Sequence, residues 1–257
     1  MTLLTAENIG KNFGGVQALS RVSLSVDREE ILGMIGPNGS GKTTFINNLS
    51  GIYAPTTGRF FFNGEDITGL PPHLIMAKGI SRTFQNLRVF PHISVLENVL
   101  IGLHCRINLS LWDIYFRLFK TRRREAQARE LAMEVLKMAD LDGQANALAK
   151  NLPYGKQRLL EICRAIVSNP HLVLLDEPCA GMNPNEMDEL AEFIHFLKDK
   201  GITVFVIEHN MRFIMSVAQR LIVLENGAKF TEGTPEEIQN DAGVQAIYLG
   251  EEEGLAC

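Results

Sequence analysis

Gly36, Gly41, Lys42 and Thr43 stand at the spacing of a phosphate-gripping loop: residues 36–44 read GPNGSGKTT and fit G-x-x-x-x-G-K-[ST]. Glycine lacks a Cβ, so the chain can bend until successive backbone N–H groups converge on an anion. Gly36, Pro37, Asn38, Gly39, Ser40, Gly41, Lys42, Thr43 and Thr44 are therefore the expected nucleotide-binding segment. Its N–H groups cradle a β-phosphate, the Lys42 ammonium offsets β- and γ-phosphate charge, and the Thr43 hydroxyl holds Mg²⁺. The second chemical candidate is the acidic pair in LVLLDEP, residues 172–178. Four apolar residues ending in two carboxylates put Asp176 at the mouth of a buried strand, where it can bind Mg²⁺ directly or through water. Glu177 follows immediately, placed to polarise an attacking water. The Asn-Lys-x-Asp pattern that reads guanine in many GTPases does not occur, so adenine is the expected base.

Such a loop must sit where a strand hands over to a helix. ILGMI before it reads as a buried strand, and TTFINNLSG after it as a helix closed by Gly51. The N-terminal third reads as short strands separated by turns: LLTAENI, RVSLSV, EILGMIG and GRFFFNGEDI. Residues 122–140 place Leu131, Val135, Leu136 and Met138 near helical spacing, and a second helix is expected from about Tyr154 to Ser168. LVLLDEP, a helix near 185–199, TVFVIEHN at 203–210, another helix and the hairpin RLIVLENGAKFTEG complete the chain. Apolar strands alternating with helices predict an α/β fold with a mostly parallel sheet covered on both faces. The helix-rich stretch 92–165 interrupts that alternation and is expected to form a helical subdomain inserted between 1–91 and 166–257.

Composition narrows the class. The 257 residues are 46% hydrophobic and 21% charged, enough for one large domain with a substantial core. No apolar run reaches the length of a membrane helix, and MTLLTAENIGKNFGG lacks the basic-then-apolar layout of a secretory signal, so a soluble, cytoplasmic chain is expected. Cys105, Cys163, Cys179 and Cys257 lack paired metal-type spacing, which argues against a disulfide framework and a zinc site. A net charge of -5 argues against broad nucleic-acid binding. The basic run with Arg117, Lys120, Arg122, Arg123 and Arg124 reads as a solvated helix face, with contact to lipid headgroups or a membrane partner as the alternative.

Further motifs lie in a meaningful order. The chain resembles an ABC-type ATPase, a P-loop NTPase cassette with an antiparallel β subdomain, over nearly its whole length. Phe13 in KNFGG matches the family's adenine-stacking aromatic, Gln85 in RTFQN its glutamine loop, and His209 in VIEHN its switch histidine. The resemblance implies Mg-ATP hydrolysis by in-line attack of water. Lys42, Gln85, Glu177 and His209 would be the catalytic set, and Thr43, Gln85 and Asp176 the Mg²⁺ set. It also implies a second cassette, identical or merely similar, whose ATP is capped by NLPYGKQ, residues 151–157. There Pro153 stands for the usual serine and Lys156 for glutamine, so Tyr154, Gly155, Lys156 and Gln157 inherit the contact. The expectation is that Gly155 and Lys156 touch the γ-phosphate at the positive end of a helix. Asn183 in AGMNP replaces the aspartate of the segment that links the two ATP sites.

LPYGKQRLLEICRAI, DEPCAGMNP, IEHNM and AIYLGEE together resemble the LivG-type cassettes of branched-chain amino acid importers, with phrasing shared in part by lipopolysaccharide-export cassettes. That likeness implies two membrane permeases, a periplasmic solute-binding protein acting through them, and a place at the cytoplasmic face of the inner membrane. Phe90 and Pro91, just after Gln85, are candidates for a permease-docking groove.

Overall fold

A computed structural model describes residues 1–83, 85, 87–103 and 120–254. In chain order the strands are β1 (Thr2–Phe13), β2 (Val16–Asp27), β3 (Ile31–Ile35), β4 (Thr57–Phe62), β5 (Glu65–Asp66), β6 (Ile80–Arg82), β7 (Leu172–Asp176), β8 (Thr203–Ile207), β9 (Arg220–Glu225) and β10 (Ala228–Gly233). The helices are α1 (Lys42–Leu49), α2 (Pro72–Ala77), α3 (Val95–Leu103), α4 (Lys120–Met138), α5 (Tyr154–Ile166), α6 (Pro184–Asp199), α7 (Met211–Val217), α8 (Pro235–Asn240) and α9 (Ala242–Gly254).

Two sheets form. β2-β1-β4-β5 is antiparallel, and β10-β9-β3-β8-β7-β6 is parallel except for the β9–β10 hairpin. Every residue of β3, β7 and β8 is buried, as their uninterrupted apolar runs require of strands covered on both sides. Alternate side chains divide between two cores, because neighbours on a strand point to opposite faces. Ile31, Val173, Leu175, Val204 and Val206 pack under helices α3 to α7. Leu32, Met34, Leu174, Phe205 and Ile207 face α1 and the antiparallel sheet, where Phe45 meets Phe60 and Phe205 edge to face.

Two local readings change. The buried stripe is Ala132, Val135 and Leu136 of α4 with Ala139 just past its end, whereas Leu131 and Met138 are exposed. The i, i+3, i+4, i+7 spacing is satisfied by starting one residue later on a small alanine, which lets α4 approach its neighbours closely. The three-residue β6 was not foreseen, since ISR carries no period of its own. Of the basic run, Arg117 lies outside the described residues, and Lys120 to Arg124 open α4. Cys163 and Cys179 are free thiols pushed well above the usual thiol range by burial, while Cys105 and Cys257 lie outside the described residues. No helix among the described residues is long and apolar enough to cross a membrane.

Candidate active site

The order β3-β8-β7-β6 aligns the C-terminal ends of four parallel strands, and each delivers one functional segment to the same edge. β3 leads into Gly36–Thr44, β8 into His209, β7 ends on Asp176, and β6 leads to Gln85. Residues up to 173 positions apart in sequence thereby meet in a strip that no local pattern could create.

The loop keeps its bend because two positions admit no side chain. A Cβ on Gly36, whose φ is +149°, would lie 2.1 Å from the Leu224 carbonyl oxygen, and one on Gly41, φ +102°, 2.8 Å from that of Ala18. The β9–β10 turn braces the loop from behind, Gly227 N–H donating to Ser40 O at 3.1 Å. Gly41 caps α1 without any side-chain hydrogen bond, and the first turn carries no acid. The first-turn N–H groups, which no intrahelical carbonyl can satisfy, are therefore available to an anion. Lys42 is buried at 6% exposure and donates to Gly36 O at 2.6 Å and Pro37 O at 2.9 Å, so its ammonium lies inside the loop. The side chain of Thr43 faces outward beside it. An anionic phosphate chain fits this cradle, with Lys42 as its internal cation.

Asp176, 3% exposed, is held by an arginine that sequence reasoning missed. Arg82 Nη2 donates to Asp176 Oδ2 at 2.9 Å, while Nη1 donates to Asn47 Oδ1 and Ser50 Oγ, both at 2.7 Å. This fork fixes the carboxylate relative to α1 and to Thr43 at its start. Hydroxyl and carboxylate oxygens are the donor set a small divalent cation such as Mg²⁺ requires.

Next to Asp176, Glu177 takes the left-handed conformation with φ +47°, which costs a side chain with a Cβ about 1–2 kcal/mol. Its N–H donates to Ile207 O at 2.8 Å. The turn aims the carboxylate at both remaining candidates: Gln85 Nε2 donates to Glu177 Oε2 at 2.8 Å, and His209 Nδ1 lies 3.7 Å from Oε1. The structure thus brings Gln85, Glu177 and His209 together. A second missed residue organises the backbone here. Glu208, fully buried, accepts from Cys179 N at 3.0 Å, His209 N at 3.0 Å and Asn210 N at 3.2 Å, which satisfies its charge from main-chain donors.

Phe13 ends β1 and is 43% exposed, so it can be reached by a planar base. Tyr53, also unforeseen, meets it edge to face with ring centroids 5.5 Å apart, and Lys11 Nζ lies 5.1 Å from the Phe13 centroid.

The segment 151–157 starts α5, with Pro153 as its N-cap. Tyr154 Oη donates to Ala180 O at 3.0 Å, and Gln157 Nε2 donates back to Leu152 O at 2.9 Å. Gly155 N–H is engaged by Glu186 Oε1 at 3.1 Å. Lys156 Nζ lies 3.8 Å from Asp140 and 3.9 Å from Glu189, so its charge is already shared with two carboxylates of this chain. That differs from the expectation of a lysine free to reach a neighbouring γ-phosphate. Loosely held, solvent-screened pairs of this kind contribute about 0–1 kcal/mol. Lys156→Ala is accordingly expected to change ATP turnover by less than about threefold, a range that spans under 1 kcal/mol; a loss beyond tenfold in a steady-state phosphate-release assay would put the ammonium on the phosphate instead.

Asn183 is the N-cap of α6 in a reciprocal capping box: Glu186 N donates to Asn183 Oδ1 at 3.1 Å, and Asn183 N to Glu186 Oε2 at 3.0 Å. Asparagine and aspartate cap equally well, which accounts for the substitution locally. Asn183→Ala should cost about 1 kcal/mol and lower the melting temperature by about 2–4 °C, whereas Asn183→Asp should leave it unchanged in a thermal melt.

A mainly apolar cavity of about 360 Å³ opens between α2 and β6 on one side and α3 and α5 on the other, with Ile52, Met76, Ile101, Glu161 and Arg164 in its wall. Phe90 stands close by, its backbone clamped by Asn98 through paired bonds of 2.9 and 3.0 Å, its ring 48% exposed and 5.6 Å from the Arg164 guanidinium.

Comparison with known proteins agrees with this geometry. The family described as "ABC transporter" matches residues 19–180, and that described as "Branched-chain amino acid ATP-binding cassette transporter" matches residues 228–254. The high-affinity branched-chain amino acid transport ATP-binding protein BraF of Pseudomonas aeruginosa is 41% identical over 97% of this chain and 98% of its own length. LivG of Escherichia coli K12, of the same description, is 39% identical over the same shares. Among solved structures, the ADP conformation of an ATP-binding cassette of an ABC transporter superposes with a TM-score of 0.86 at 35% identity, covering 97% of this chain and 99% of that one. A strand-end phosphate loop, a carboxylate pair at the next strand but one and full-length similarity to transport cassettes converge: the chain belongs to the ABC transporter family, as one of its ATP-binding cassettes.

Proposed function

We propose that this chain is the ATP-hydrolysing subunit of an importer for branched-chain amino acids or related small polar solutes. One observation carries the chemistry: Glu177 is held between Gln85 and His209 at the strand end beside the Gly36–Thr44 loop. Phe13 stacks on the adenine. The loop N–H groups and Lys42 hold the β- and γ-phosphates and offset the charge that develops as the γ-phosphoryl departs. Thr43 and Asp176 would hold Mg²⁺, which would supply further positive charge to offset that of the phosphates. Glu177 orients the attacking water and draws off its proton, Gln85 fixes that carboxylate from one side, and His209 contacts the γ-phosphate from the other.

The solute assignment rests on the full-length likeness to BraF and LivG and on the C-terminal match at 228–254. The partners follow from the same reading. A second cassette presents its own counterpart of Pro153 to Gln157 to this ATP, and this chain's segment serves the other site. The groove beside Phe90 and Pro91 receives a short helix of a membrane permease, because its apolar floor and its Glu161 and Arg164 wall match an amphipathic helix. Two permeases and a periplasmic solute-binding protein complete the transporter, which keeps this subunit at the inner face of the membrane. The decisive experiment reconstitutes the chain in proteoliposomes with the permeases and second cassette of a branched-chain amino acid importer. Phosphate release that rises with a leucine-loaded binding protein supports the reading. ATP turnover indifferent to branched-chain amino acids but stimulated by lipopolysaccharide would replace import by export.

A further inference from the structure

Arg158, near the start of α5, is completely buried, an environment that a guanidinium occupies only when its charge is paired. Nη1 donates to Glu161 Oε2 at 2.8 Å, one turn along the same helix. Neutralising the charge would need nothing more. Yet Nη2 reaches out of the helix to two backbone carbonyls, Gln85 O at 3.0 Å and Glu177 O at 3.2 Å. These belong to the two residues whose side chains meet at 2.8 Å. Glu177 holds a left-handed turn that a residue with a Cβ leaves readily, and its peptide is pinned at both ends: N–H on Ile207 O, carbonyl on Arg158.

We infer that Arg158 is a positioning residue for ATP hydrolysis: its fork sets Glu177 and Gln85 at a fixed separation and holds the Glu177 turn. The inference rests on the ATPase reading above. The same node extends to the groove. Glu161 Oε1 accepts from Arg88 N at 3.2 Å and lies 3.8 Å from Arg164 Nη2, and Arg164 packs against the Phe90 ring. A partner helix pressing on Arg164 and Phe90 therefore bears on Arg158 through one buried carboxylate, and through Arg158 on the two residues that handle the water. Lysine cannot replace this fork, because a single ammonium on a flexible stem lacks the planar spread of donors.

The test compares wild type, Arg158→Lys, Arg158→Met and the double variant Arg158→Met/Glu161→Met in the assembled transporter. The double variant removes both buried charges together, so that folding is retained while the carbonyl contacts are lost. Its expected behaviour is a melting temperature near wild type, ATP affinity within about twofold, and a kcat lower by about 10- to 100-fold, the scale on which small misplacements of reacting groups act. Arg158→Lys should not restore the rate. Amide hydrogen exchange should rise at Asp176 and Glu177 and remain unchanged in α1. Wild-type kcat in the double variant, or affinity and turnover falling together with stability, would overturn the assignment and leave Arg158 a packing residue. The exchange measurement needs no turnover: an inactive wild-type complex would refute the ATPase reading, while unaltered exchange at Asp176 and Glu177 refutes the clamp.

Discussion

Glu177→Gln should lower the rate of ATP hydrolysis by about 10²- to 10⁴-fold, the contribution of a well-placed general base, while ATP binding stays within about threefold, under 1 kcal/mol. The substitution preserves size and removes only the charge and the capacity to take a proton. The groups proposed to grip the phosphates, Lys42 and the α1 N-terminus, are untouched, and so is Asp176, the proposed Mg²⁺ ligand. The amide at 177 can still receive Gln85 Nε2 through its oxygen, so the local geometry survives and the rate loss reports on the carboxylate alone. Phosphate release and equilibrium binding of ATP on the same preparation separate the two effects. A variant that keeps a tenth or more of the wild-type rate would show that Glu177 is not the group that handles water.

Lys42→Ala should act on the other axis. Its ammonium is the only side-chain cation among the nine loop residues, and it is enclosed at 6% exposure. A hydrogen bond to a charged partner contributes about 1.5–3 kcal/mol, so ATP affinity should fall by about 10- to 100-fold. Turnover should fall further, because negative charge grows on the ADP leaving group towards the transition state, where the Lys42 ammonium can offset it. Folding is a separate question. The alanine variant loses the ties to Gly36 O and Pro37 O but also relieves a buried charge, so a melting temperature shifted by only about 4 °C or less is expected. Titration calorimetry with ATP checks the first expectation and a thermal melt the second. Unchanged affinity would mean the loop binds phosphate through its backbone alone.

Much of this site could be read in one dimension because its parts are local. Gly36 to Thr44 is nine consecutive residues whose bend is dictated by missing side chains, and Asp176 with Glu177 follows a strand visible as an apolar run. The helix that starts within NLPYGKQ was legible for the same reason, beginning at Tyr154 as expected and ending at Ile166, two residues short of the expected Ser168. Gln85, His209 and Phe13 carry no such local mark. Their roles came from resemblance, and their meeting depends on the strand order β3-β8-β7-β6.

The residues that sequence reasoning missed share one property: each acts through a partner distant in the chain. Arg82 reaches Asp176 across 94 positions and Arg158 reaches Gln85 across 73. Tyr53 makes its aromatic contact on β1, and Glu208 draws in Cys179, 29 residues away. Lys156 shows the reverse case, in which a charge suited to a phosphate is instead shared with Asp140 and Glu189 once the helices pack. The sequence by itself determined which chemical groups this protein owns and where its phosphate loop bends, since both follow from neighbouring residues. Only the tertiary structure decided which of those groups face one another, because burying the parallel sheet on both faces is what draws four separate strand ends to a single edge.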